Sequence, residues 1–82
     1  MKVEALYFAA ARDIAGKSSE VIELPPSVQT VAAFLDWLAN KYPELLPHAA
    51  SLRVARNETF ADGHERISEN DVLAVIPPVA GG

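Results

Sequence analysis

The sequence closes on Pro77-Pro78-Val79-Ala80-Gly81-Gly82, so two of the chain's four glycines are its last two residues. Glycine is used where a turn needs positive φ or where another backbone must come close. A terminal pair has no turn to make, which leaves close approach as the better account. A Gly-Gly end is thin enough to thread a narrow channel, and it leaves the α-carboxylate of Gly82 unhindered for chemistry at its carboxyl carbon. Pro77 and Pro78 stiffen the emerging segment into an extended form, because each ring fixes φ and Pro78 biases its predecessor away from helix. No charged side chain follows Asp71.

A free α-carboxyl is ionised at neutral pH and is a poor electrophile. It must be activated, and adenylation is the most direct route. The chain has no nucleotide site of its own: Gly16-Lys17-Ser18 has the look of the end of a phosphate loop but lacks the upstream glycine and the following helix. A separate ATP-dependent enzyme is implied, and no cofactor is expected on this chain. Once the carboxyl is an acyl-adenylate, attack by an amine gives an amide link to a target, and attack by a sulfur donor gives a thiocarboxylate. The first makes a protein tag and the second a sulfur carrier, and both stay open on the residues alone. With no cysteine in the chain, sulfur chemistry here must use something other than a side-chain thiol.

Other constellations are weaker. His48 and His64 lack a cluster of carboxylates at ligand spacing, so they read as solvated histidines and not as a zinc site or a general base. Ser18, Ser19, Ser27, Ser51 and Ser68 have no nucleophile-elbow context. Glu65, Glu69 and Asp71 are most simply a solvated rim near the last strand, with a docking surface for a basic patch as the alternative.

The elements that must position the tail fit in one small domain. The chain has 82 residues, half of them hydrophobic and 22% charged, which describes a folded protein with a single core and room for one site at most. The net charge is −4 and the seven Lys and Arg are scattered, so the footprint of a nucleic-acid binder is missing. The apolar run Ala5 to Ala11 is flanked by Glu4, Arg12 and Asp13, too short to span a bilayer and a poor secretory signal. A cytoplasmic protein is expected, with neither nucleic acid nor membrane as partner.

From Lys2 to Ala9 the residues alternate as a strand, with Val3, Ala5 and Tyr7 on one face and Lys2, Glu4, Leu6 and Phe8 on the other. The charges put the second face outward. Leu6 and Phe8 are then covered by a loop or form a docking patch. A turn is expected over Ala10 to Ala15, with Gly16 as a C-cap. Glu20 to Leu24 reads as a second strand, stopped by Pro25-Pro26. Val31, Phe34, Leu35, Leu38 and Tyr42 make a helical stripe, opened by Thr30 as N-cap and closed before Pro43. Trp37 lies off that stripe, where packing on a second flank is favoured over contact with a partner. A short helical turn over Glu44 to Ala50 precedes a strand from Leu52 to Asn57, and Thr59-Phe60 belongs to a brief further strand. Asp62-Gly63 and Glu69-Asn70-Asp71 are turns, and Val72 to Ile76 is a buried central strand leading into the tail. The order predicts an α+β domain, one helix across one face of a mixed sheet, over residues 1–76, followed by an extended tail over 77–82. Terminal residues are poorly ordered unless docked, so the tail is expected to be mobile.

Leu6-Tyr7-Phe8-Ala9, then Arg12-Asp13 and Gly16, then Thr30-Val31, and finally Pro77-Pro78-Val79-Ala80-Gly81-Gly82 together resemble the small, sulfur-carrying subunit of molybdopterin synthase, the MoaD family. The resemblance covers nearly the whole chain and implies a ubiquitin-like β-grasp fold. It implies that Gly82 is adenylated by a dedicated enzyme using ATP and Mg, and converted to a thiocarboxylate. It implies further that the tail, Pro77 through Gly82, enters the large subunit of a hetero-tetrameric synthase, where sulfur passes to a cyclic pyranopterin phosphate precursor. Catalytic side chains then belong to that subunit. Phe8, Phe60 and Ile76 match positions of the family's apolar docking surface. The family also often has Asp-Gly-Asp-Glu before the last strand, where this chain has Glu69-Asn70-Asp71-Val72. Asn70 can supply the left-handed turn conformation in place of glycine, while Val72 stands where a carboxylate would contact a partner. The Gly-Gly end alone is shared with the thiamine-pathway sulfur carrier and with ubiquitin-like modifiers, so thiamine or tRNA thiolation and protein tagging are the alternatives.

Overall fold

The computed structural model describes residues 1–78. Val3, Ala5 and Tyr7 of β1 (Lys2–Tyr7) are buried while Lys2 and Glu4 are exposed, as the alternation requires. The strand stops two residues short of the expected Ala9, because Ala9 takes a φ of +50° and turns the chain into a helix. That helix, α1 (Ala9–Ala15), replaces the expected turn. Three successive alanines and Arg12 favour helix, Ala11 is buried, and Ile14 and Ala15 pack against the core. Seven residues are too few for a visible period. Gly16 closes the helix in the left-handed conformation at φ +75°, its N–H donating to the Arg12 carbonyl as a C-cap should.

β2 (Ser19–Glu23) returns antiparallel to β1, with Lys2 opposite Glu23 and Leu6 opposite Ser19. The stripe helix is α2 (Val31–Lys41), and Thr30 Oγ1 accepts from the Ala33 N–H at 3.2 Å to cap it. Val31, Phe34 and Leu38 are fully buried, Leu35 and Tyr42 partly. Trp37 packs at the edge of the core, with Lys41 Nζ 5.6 Å from its ring centroid. A 3₁₀ helix over Pro43–Ser51 then buries Leu45.

β3 (Arg53–Arg56) and β4 (Thr59–Ala61) form a tight hairpin whose central residues, Asn57 and Glu58, both have positive φ, at 50° and 75°. This is the handedness that matches the twist of the flanking strands. β5 (Val72–Ile76) completes a sheet of order β2-β1-β5-β3-β4, parallel to β1 and antiparallel to β3. The apolar run read as a central strand is therefore central. Leu73 and Val75 face α2 and are fully buried with Phe34 and Leu38.

Two polar clusters lock this arrangement. Glu20 on β2 accepts from the Tyr7 hydroxyl at 2.5 Å, the Tyr42 hydroxyl at 2.6 Å and Lys41 Nζ at 3.2 Å. Burial acts to raise its carboxyl, but the hydroxyls and the ammonium prevail and hold it at about 2. Burial, and after it the Glu20 carboxylate, push Tyr42 up to about 12 and Tyr7 further up. The second cluster corrects the expected solvated rim. Asp71 is buried, 6% exposed, and accepts from Arg56 Nε at 2.6 Å, the Ser68 N–H at 2.7 Å and Asn57 Nδ2 at 2.9 Å. Glu65 and Glu69 stay exposed, Glu65 paired with Arg56 and Glu69 accepting from the Lys2 N–H.

Candidate docking face and tail root

Cross-strand partners share a face of a sheet. Leu6 stands opposite Ala74, Ala74 opposite Ala55, and Ala55 opposite Phe60. Leu73 and Val75 point to α2, so this row lies on the other side of the sheet, with Phe60 59% exposed at its end. One step along, Ile76 stands opposite Arg53 on the same face. The Arg53 guanidinium carbon lies 4.7 Å from the Phe60 ring centroid. Phe8, 48% exposed, caps α1, and its N–H donates to the Val75 carbonyl at 3.3 Å, which ties it to the end of β5. The structure thus puts Phe60 and Ile76 on one face and Phe8 at its margin. Ala55 and Ala74 between them gave no signal in the sequence, because a small residue in a short strand reads the same on either face. Here they keep the centre flat. Exposed Val21 adds an apolar residue at the far side, opposite Glu4.

Pro77, expected to open the tail, is buried, and Pro78 is the first exposed residue after β5. Pro77 therefore extends the domain, because a ring directly after a central strand is flanked by that strand's neighbours. The sites read at Val79, Ala80, Gly81 and Gly82 lie outside the described residues. The turn ahead of β5 is as expected, since Asn70 adopts φ +69°. His48 lies half-buried on the 3₁₀ helix, and His64 is exposed in the turn, where its N–H donates to Asp62 Oδ1 at 2.9 Å. The two are on separate elements. Among the described residues no cluster of three His, Cys, Asp or Glu could hold a metal ion, and no helix is long and apolar enough to cross a membrane.

Residues 5–82 match the ThiS family. The chain belongs to the ThiS family. Within it, the chain is 36% identical over 85 residues to the molybdopterin synthase sulfur carrier subunit of Drosophila yakuba, an alignment covering 100% of this chain and 92% of the relative. The likeness extends to solved structures. Molybdopterin converting factor subunit 1 from Pyrococcus furiosus superposes with a TM-score of 0.83 at 28% identity, covering 96% of this chain and 99% of that one. SAMP1 from Haloferax volcanii does so with a TM-score of 0.80 at 27% identity over the whole of both chains. The five-stranded mixed sheet with α2 packed across it is the ubiquitin-like β-grasp of these neighbours.

Proposed function

We propose that this chain is the sulfur carrier of molybdopterin synthase, with the carboxylate of Gly82 as its reactive group. A separate enzyme adenylates that carboxylate with ATP and Mg, releasing pyrophosphate. A sulfur donor then displaces AMP to leave a thiocarboxylate. Val79 to Gly82 enters the large subunit, with which the chain forms a hetero-tetramer, and the sulfur passes to the cyclic pyranopterin monophosphate precursor. The chain supplies no catalytic side chain and acts as a co-substrate in the cytoplasm. The observation that carries this reading is the full-length likeness to a sulfur carrier subunit, joined to a Pro-Pro-Val-Ala-Gly-Gly segment that follows directly on the central strand. The apolar face beside the tail root is the docking surface, with Phe8, Phe60 and Ile76 as its anchors.

The test is the intact mass of the protein after incubation with ATP, the activating enzyme and a sulfur donor. Exchange of one oxygen for one sulfur, mapped to Gly82, is expected; an unchanged mass rejects the reading. The likeness to SAMP1, small archaeal modifier protein 1 of Haloferax volcanii, favours a second reading, a ubiquitin-like protein modifier. It predicts amide-linked adducts on target lysines when the same mixture is supplemented with cell extract.

A further inference from the structure

At the Phe60 end of the apolar face lies a cation that pairs with no carboxylate among the described residues. Arg53 is exposed at the start of β3, in register with Ile76 and seated on the Phe60 ring. Among the described residues no carboxylate lies within ion-pair distance of it, whereas Arg56 on the same strand is held by Asp71 and Glu65. We propose that Arg53 is a charge-specific anchor that reads a carboxylate on the protein that covers Phe60 and Ile76 and takes up the tail. The proposal rests on the docking reading above.

A partner laid over Phe60 and Ile76 strips water from the guanidinium between them, which is strongly unfavourable unless a counter-charge arrives with it. The counter-charge of matching shape is a carboxylate, whose two oxygens meet the planar fork of donors. The aromatic ring already restrains the side chain, so little freedom is lost when the pair forms. An arginine beside an aromatic residue is also the composition that dominates interface energies. The chain's net charge is −4, so a cation at the Phe60 end of this face draws an acidic group to that point. That point is the root of the tail, and the pair therefore fixes the register in which the tail meets its acceptor.

The experiment titrates the full chain, as wild type, Arg53→Gln and Arg53→Lys, with the large synthase subunit of the same organism at low and high salt. Arg53→Gln is expected to bind about 10- to 100-fold more weakly at low salt, with a shallower dependence on salt. Arg53→Lys should keep the salt dependence and recover part of the affinity. Thermal unfolding of each variant separates lost recognition from lost structure. Wild-type binding together with Arg53→Gln binding within about twofold, and with the same salt dependence, overturns the anchor alone. No wild-type binding overturns the proposed function and the anchor with it.

Discussion

Arg56 Nε donates to Asp71 Oδ2 across 2.6 Å, joining the end of β3 to the residue that precedes β5. Asn57 closes the same joint from the hairpin: its Oδ1 accepts from the Val72 N–H and its own N–H donates to the Val72 carbonyl. The entry of the central strand is thus held by side chains before its ladders begin. Asp71→Ala should cost about 2–4 kcal/mol, since it removes an ionised acceptor and leaves buried donors unmatched. Urea denaturation measures this. Burial acts to raise the Asp71 carboxyl, but donors from Arg56, Ser68 and Asn57 hold it below its free value of 3.8, so its contribution is present above that pH and is lost as acid protonates the folded form.

Glu20 gives a sharper pH dependence. Its carboxyl titrates at about 2 in the fold against 4.5 when free. A depressed pKa stabilises the fold fully above the free value, and that stabilisation disappears between pH 4.5 and about 2. Glu20→Gln should lower stability at pH 7 by about 1.5–3 kcal/mol, the range for hydrogen bonds to a charged group. The gap between the two proteins should narrow as pH falls through that window. A constant gap would mean that packing, not charge, is what the substitution removes.

Glu58 occupies the second left-handed position of the β3–β4 hairpin, at φ 75°. A side chain there is strained, so Glu58→Gly is expected to raise stability by about 0.5–1 kcal/mol, the left-handed penalty less the entropy that glycine costs. Thermal unfolding decides it, and a fall in Tm would show that the Glu58 side chain makes a compensating contact.

Phe60 is more than half exposed. Phe60→Ala should change stability by no more than about 0.5 kcal/mol while weakening docking to the large subunit by about 10-fold or more. Unfolding and co-purification measured together test the split.

Deleting Gly82 should leave folding intact and abolish sulfur transfer. Gly81→Val should do the same, because a β-branched side chain cannot follow a glycine path. Transfer by either variant would reject the activated-carboxyl mechanism.

Elements with a strong period were legible in the sequence. The α2 stripe with its Thr30 cap, the alternation of β1 and the β-branched run of β5 each report burial directly, and Asn70 and Gly16 reported backbone sign. The short helix α1 was not legible, because one buried alanine in seven residues makes no pattern. Asp71 read as surface because charge alone predicts exposure; its burial depends on Arg56, fifteen residues away, and on a fold that brings the two together. The candidate docking face was half visible. Phe8, Phe60 and Ile76 came from a family resemblance, whereas the flat Ala55–Ala74 centre and the seat of Arg53 on Phe60 follow from strand register.

Placing β5 between β1 and β3 also settles how the domain bears a mechanical load. A pull on Pro78 runs along the axis of the central strand, so both ladders are loaded in shear and their hydrogen bonds must yield together. An edge strand would instead unzip one bond at a time. A protein that grips the segment beyond Pro78 therefore loads both ladders at once, and the domain resists unravelling from β5.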